Sequence, residues 1–213
     1  MSNPLDQYRD NHHEFQNEVT GDLDNDPIIV FKEWFSIAHD ADELEANAFV
    51  LGTTSADGQA SSRVLYLKEI LDGQLIFYTN YTSQKGQEIA ANPKVSMLFF
   101  YPKSSRQIRV EGICTKADVS VSDAYFNSRP RGSKIGAWAS LQSEELFNMS
   151  ELSDRVKALE EKYPNEVPRP EHWGGYQVQP TRVEFWMGKK SRLHERIVFD
   201  RVSDGWKKYR KNP

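Results

Sequence analysis

The chain has 213 residues, 31 Asp and Glu against 27 Lys and Arg, a formal net charge of −4, and 12% aromatic residues. That length suits one domain with a sizeable core, and the acidic balance excludes a general nucleic-acid binder, leaving local basic clusters to serve a small anion. Cys114 is the only cysteine, which excludes an intrachain disulfide and a cysteine metal cluster; with no membrane-length apolar run and no secretory leader, a soluble, cytoplasmic protein is expected.

Residues 1–25 are polar and acidic and read as a flexible arm, followed by a single domain over 26–213. Adjacent His12 and His13 read as solvated side chains, and no metal site is expected. Asp26-Pro27 is a helix start, with Asp at the cap and Pro at the first position. Ile28, Phe31, Phe35 and Ala38 then recur at helical spacing. From Ala48 the period changes. Residues 48–54 and 60–69 make a hairpin around Asp57-Gly58. Asp72-Gly73 turns into a strand over 74–80. Ser83 starts a short helix through Ala91, stopped by Asn92-Pro93. Residues 94–101 and 105–117 are two more strands, with Gln107, Arg109 and Glu111 on one face of the second.

The stretch 125–143, YFNSRPRGSKIGAWASLQS, gathers Tyr125, Arg129, Arg131, Ser133, Lys134, Gln142 and Ser143 around one Pro and two Gly residues. Before Pro130 it reads as a helix capped by Ser120 or Ser122, with Tyr125 and Arg129 at i,i+4. Pro130 disfavours helix at Arg129, so a Gly-Ser turn is expected there. Forked Arg donors, hydroxyls and a Lys charge suit a phosphate; spacing alone equally allows a basic surface loop. A helix follows over 150–163, with Leu152, Val156, Leu159 and Tyr163 on one stripe. Residues 164–175 form a Pro- and Gly-rich connection. The last strands are expected over 181–188 and 193–201. Many strands with few helices indicate a mostly antiparallel barrel.

Four constellations could carry chemistry. Arg63 and Lys68 have opposite strand parity and face opposite ways; by itself Arg63 reads as a solvated strand charge. Ser83-Gln84-Lys85 opens a helix, whose free N–H groups suit phosphate. Gln107, Gln142, Ser143, Trp186 and Arg196 are each ordinary when taken singly. Arg192, His194 and Arg196 would share one strand face, and such a row of cations needs an anion or an electron-rich partner, unless it is an exposed basic edge. No dinucleotide or P-loop glycine pattern, nucleophile elbow or HExxH motif occurs.

SRPRGSKIGAWAS followed by Gln142-Ser143, together with SSRVLYLKE, FYTN, PRPEHWGGYQVQPTRVEFWMG and SRLHER, resembles the pyridoxamine 5'-phosphate oxidase family, in that family's order across residues 26–213. The resemblance implies an FMN-binding split barrel: a mostly β fold with short helices. It implies oxidation of pyridoxamine 5'-phosphate and pyridoxine 5'-phosphate to pyridoxal 5'-phosphate. A hydride would pass from substrate C4' to flavin N5, and O₂ would be the acceptor, giving hydrogen peroxide. FMN would contact Arg63, Val64, Leu65, Tyr66, Leu67, Lys68, Tyr78, Thr79, Gln84, Lys85, Gln107, Gln142, Ser143, Trp186 and Arg196. Lys68, Tyr125, Arg129 and Ser133 would hold the substrate phosphate, and Arg192 and His194 its ring. A homodimer with FMN at the subunit interface is implied, with no nucleic-acid or membrane partner. Three departures stand out: Gln84 replaces a usual Arg, Lys211 replaces a usual apolar residue, and the arm QYRDNHHEF does not align with the family's Arg-x-x-Tyr lid. The rival reading is a non-catalytic flavin- or pyridoxal-phosphate-binding split barrel.

Overall fold

The computed structural model describes residues 23–213. The arm expected over residues 1–25 lies, but for its last three positions, outside the described residues, as do His12 and His13. Among the described residues nine strands form one sheet, seven of them in the order β2 (Ala60–Tyr66), β1 (Ala48–Thr54), β5 (Lys94–Tyr101), β6 (Arg106–Lys116), β7 (Trp173–Met187), β4 (Gln74–Asn80) and β3 (Glu69–Leu71). Beside β7 run β8 (Glu195–Val202) and then β9 (Gly205–Lys211). The pairs β1–β2, β1–β5, β3–β4, β4–β7, β7–β8 and β8–β9 are antiparallel. The fold is mostly β, as the element pattern implied, with five short α-helices among the described residues. Among the described residues no helix is long and apolar enough to cross a membrane.

Local chemistry sets the element ends. Helix α1 (Pro27–Asp40) begins where expected: Asp26 Oδ1 accepts the Ile28 amide at 2.8 Å and Pro27 takes the first position. Its buried face is Pro27, Val30, Phe31, Trp34 and Ala38. Trp34 takes the centre of that face, and the expected Ile28 and Phe35 lie half-buried at its margins. Asp72 and Gly73 both have positive φ, 49° and 76°, which closes the tight β3–β4 hairpin.

Several expectations are corrected. Helix α3 (Val119–Ser128) starts after Asp118, so Ser120 and Ser122 lie inside it rather than capping it. Ser122 Oγ instead accepts the Gly175 amide at 3.0 Å. Pro130 does end the helix, with Arg129 extended at φ −72°, ψ 148°. The Gly-Ser turn does not form. Pro130 caps a new helix, α4 (Arg131–Ala139), which takes in Gly132, Ser133 and Gly136. A proline tolerated at a helix start is what the turn reading overlooked. The last expected strand begins at Glu195, not at 193, and β3 and β9 were not foreseen.

The residues group into two compact units. One comprises the described residues up to Ala46, Phe99–Arg109 and Arg182–Pro213. Its core is aromatic: Phe31 meets Phe99 edge-on at 5.0 Å, Trp34 meets Phe185 at 5.2 Å, and Phe185 meets Phe199 at 5.7 Å. The other comprises Asn47–Leu98 and Val110–Thr181. There Phe77 contacts Phe49 at 5.7 Å and Tyr176 at 5.6 Å. A second cluster of Phe126, Ile135, Val167 and Trp173 seats α4 and α5 (Met149–Lys162); of the expected stripe Val156, Leu159 and Tyr163 pack against it, and Leu152 does not.

Asp26→Ala removes the α1 cap and should cost about 1 kcal/mol. A urea melt should show a lower midpoint at unchanged slope, and an unshifted midpoint would mean that the cap carries no stability.

Candidate functional site

The start of α2 (Gln84–Ala91) brings two cations together inside the second unit. Ser83 precedes the helix with extended backbone and makes no side-chain cap bond. Its hydroxyl donates to the Asn80 carbonyl at 2.7 Å and accepts from Lys85 Nζ at 2.9 Å. Lys85 is 6% exposed and also donates to Gln142 Oε1 at 2.7 Å and Thr79 Oγ1 at 3.2 Å. Burial, then the nearby Arg63 charge, pushes its ammonium down to about 8. A buried ammonium that hydrogen-bonds only neutral oxygens among the described residues, beside a guanidinium, is a place made for an anion.

Arg63 lies on the face of β2 turned away from exposed Ser62 and Val64. Its Nη1 donates to Thr53 Oγ1 and to the Leu51 carbonyl at 3.3 Å. Its Nη2 donates to Ser61 Oγ at 2.6 Å and Glu88 Oε2 at 3.2 Å. Burial tends to raise the Glu88 carboxyl, but hydrogen bonds from Thr53, Ser61, Gln84 and Arg63 outweigh it and hold the group down at about 2. Gln84 donates from its amide side chain to Glu88 Oε1 at 2.9 Å and from its backbone to Ser143 Oγ at 3.2 Å. Ser143 sits at φ 76°, a left-handed backbone that a serine adopts only where its surroundings hold it. An open cavity of about 670 Å³ is lined in part by Thr53 and Ser61 of this cluster.

A second group lies in the same unit. Tyr78 and Tyr125 stack at 3.8 Å with 13° between their planes, and Trp173 lies nearly parallel to both, 5.7 Å and 6.3 Å away. The Arg129 guanidinium lies 4.5 Å from the Trp173 ring centre. Its Nη1 is buried with no hydrogen-bond partner, one of two such side-chain atoms among the described residues. Burial lowers the Arg129 pKa from its ordinary value and raises that of the Tyr125 phenol. Ser133 is exposed on α4, and Lys68 is exposed with its ammonium 5.2 Å from the Tyr66 ring. The other cations of the 125–143 stretch serve the fold. Arg131 donates to the Asn165 carbonyl at 2.8 Å and to that of Tyr163, and Lys134 donates to the Asn127 carbonyl at 2.9 Å.

Leu65 is half-buried on β2 and Leu67 buried just after it, both in the second unit; the other expected residues belong to the first. Gln107 is half-buried on β6. The shared strand face expected for Arg192, His194 and Arg196 does not exist. Lys190–Arg192 form a single 3-10 turn in which Ser191 and Arg192 have φ of 57° and 61°, and only Arg196 is on β8. Left-handed backbone breaks the alternation on which the strand reading relied. His194 Nδ1 accepts the Lys189 amide at 3.2 Å, which leaves Nε2 to carry the proton of the neutral ring. The His194 ring lies 4.7 Å from that of Trp186. Burial and then Arg192 lower the His194 pKa, favouring the neutral form. Arg196 grips the buried Glu184, with Nη2 at 2.7 Å and Nε at 3.0 Å from Oε1. Lys211, the unusual residue near the carboxyl end, lies 3.8 Å from the same carboxylate.

Sequence reading missed Thr53, Ser61, Glu88 and Trp173 as site neighbours. The one available signal was Glu88 at i+4 from Gln84 on a short helix.

An antiparallel split barrel that carries a buried, anion-ready cationic pocket is the class that fold and site define. Residues 37–163 match the family model described as pyridoxamine 5'-phosphate oxidase, and residues 173–213 match that of the pyridoxine 5'-phosphate oxidase C-terminal dimerisation region. The chain is 46% identical over 198 residues to a pyridoxine/pyridoxamine 5'-phosphate oxidase of Thermosynechococcus vestitus, covering 93% of this chain and 94% of the relative. It is 47% identical over 194 residues to one of Leptospira interrogans, covering 90% and 91%. Among solved structures it is similar to PhzG from Burkholderia lata in complex with tetrahydrophenazine-1-carboxylic acid, with a TM-score of 0.85, 31% identity, and 90% and 95% of the two chains covered. A pyridoxamine 5'-phosphate oxidase-related, FMN binding protein of Nostoc punctiforme shares the fold, with a TM-score of 0.70, 17% identity, and 86% and 97% covered. The chain belongs to the pyridoxine/pyridoxamine 5'-phosphate oxidase family and is an oxidase enzyme.

Lys85 must be charged to take an anion, and its charge falls away as pH rises through about 8. The dissociation constant for sulfate, a phosphate mimic that does not titrate in this range, should therefore rise about tenfold from pH 7 to 9. Calorimetric titration checks this. A profile as flat as that of Lys85→Met would reject the role of Lys85.

Proposed function

We propose that this enzyme uses FMN to oxidise pyridoxamine 5'-phosphate and pyridoxine 5'-phosphate to pyridoxal 5'-phosphate, with O₂ as acceptor and hydrogen peroxide as second product. The observation that carries the reading is the buried Lys85 ammonium at the start of α2, bonded to neutral oxygens and adjacent to Arg63. Such a pocket fits the phosphate of FMN: Lys85 and Arg63 supply charge, and Thr79, Ser83, Gln142 and Ser143 supply neutral polar contacts. FMN, when bound, supplies the two-electron acceptor that no side chain offers. The 63–68 segment, Tyr78 and Thr79 would line it, and Gln107, Trp186 and Arg196 would meet its ring. The curated relatives named above and the family models support this assignment.

In this proposal the chain's own residues bind and orient the substrate. Arg129 offers its buried, unpartnered Nη1 to the substrate phosphate, with Tyr125, Ser133 and Lys68 completing the set. Arg192 and His194 hold the pyridine ring. A neutral His194 with Nδ1 engaged by the Lys189 amide presents Nε2–H as a donor. Neither residue needs to be a covalent nucleophile. Their contribution is orientation, which can carry a large share of a barrier. A homodimer with FMN at the subunit interface completes the proposal, supported by the dimerisation-region match over residues 173–213.

The purified protein should be yellow, release FMN rather than FAD on heating, and produce peroxide with pyridoxamine 5'-phosphate. A colourless protein that takes up no FMN, or one that holds FAD, would reject the reading. Arg129→Lys keeps the charge and loses the fork. The KM for the phosphorylated substrate should rise roughly thirtyfold, as expected for one charged contact of ~2 kcal/mol. An unchanged KM would place the substrate phosphate elsewhere.

A further inference from the structure

Glu88 stands out because it puts a buried negative charge in a pocket built for an anion. It is 6% exposed, and four donors converge on it: Thr53, Ser61 at 2.7 Å and Arg63 at 3.2 Å on Oε2, and Gln84 at 2.9 Å on Oε1. Arg63 is correspondingly occupied. Its two Nη nitrogens are spent on the Leu51 carbonyl, Thr53, Ser61 and Glu88, leaving Nε–H as the one donor without such a partner among the described residues. An arriving phosphate therefore meets a guanidinium whose fork is already engaged, next to a carboxylate of like charge.

We propose that Glu88 sets the affinity of the pocket for the cofactor's phosphate, by offsetting with its own charge one of the pocket's two positive charges. The proposal rests on the reading of the Arg63–Lys85 cluster as the FMN phosphate site. Glu88 acts through its field, so it is a positioning residue and touches neither substrate nor flavin ring.

The geometry supplies a clean variant. Glu88→Gln is isosteric. Its side-chain oxygen can accept from Thr53, Ser61 and Arg63 as Oε2 does now. Its new amide can donate to Gln84, whose own amide needs only to flip and present oxygen. The hydrogen bonds then persist and only the charge is removed.

The test uses the full chain freed of flavin and titrated with FMN and, separately, with riboflavin, which carries the same ring and no phosphate. Binding is followed by quenching of flavin fluorescence. Glu88→Gln should lower the FMN dissociation constant about tenfold, the scale of one charge interaction across a partly screened pocket. Its riboflavin affinity should stay within about twofold of wild type, since charge removal acts on the phosphate alone. Unchanged or weaker FMN binding by the variant would overturn the proposal and make Glu88 a structural strut for Arg63. Loss of riboflavin binding as well would overturn the isosteric fit on which it depends. Equal affinity of wild type for FMN and riboflavin would instead reject the phosphate site itself, and that failure shows in the wild-type titrations before any variant is compared.

Discussion

The second unit is organised around a charge problem: Lys85 and Glu88 are buried, Glu88 pairs with the partly buried Arg63 at 3.2 Å, and the Arg63 and Glu88 charges both act on Lys85. Stripping a charge of solvent costs several kcal/mol unless hydrogen bonds and an opposite charge replace the water. Four different elements meet that requirement. Thr53 comes from β1, Ser61 and Arg63 from β2, Thr79 from β4 and Glu88 from α2. The β1–β2 register sets Thr53 directly opposite Ser61, so both hydroxyls reach the same carboxylate. With two cations and one anion the set keeps an excess of one positive charge, and that excess makes the pocket attractive to phosphate.

The same constraint accounts for the strained backbone nearby. Ser143 holds a positive φ because its hydroxyl takes the Gln84 amide, an N–H that the start of α2 leaves without a helical acceptor. Gln142, one residue earlier, reaches the Lys85 ammonium. A segment far along the chain thus closes over the helix start. In the first unit, left-handed Ser191 and Arg192 serve a comparable end. They turn the chain between β7 and β8, and the Lys189 amide then meets the His194 imidazole and sets its tautomer.

Much of this was legible in the residues. The Asp26-Pro27 start, the Asp72-Gly73 hairpin and the strand over 94–101 follow from capping, turn chemistry and alternation, which act over a few residues, whereas the short helix after Ser83 forms where expected without the Ser83 cap bond. Where two local rules competed, the reading failed. Pro130 ends one helix and begins another, and the pattern around Gly132 could not say which effect would dominate. The alternation from Arg192 to Arg196 resembled a strand, yet two left-handed residues displaced its beginning to Glu195.

The sequence by itself determined the mostly β class, the short helices and the stretches from which the site residues come, because these depend on local periodicity and on recognisable ordered motifs. It could not decide which cations are spent on the fold and which remain for a ligand. Arg131 and Arg129 stand two apart in one basic run, yet Arg131 binds the Tyr163 and Asn165 carbonyls while Arg129 keeps a buried Nη1 unpaired over Trp173. Nor could it show that Glu88 opposes Arg63, since the two are 25 residues apart and meet only when α2 packs against β1, the hairpin partner of β2. Those outcomes depend on burial and on long-range acceptors, and only the tertiary structure supplies both.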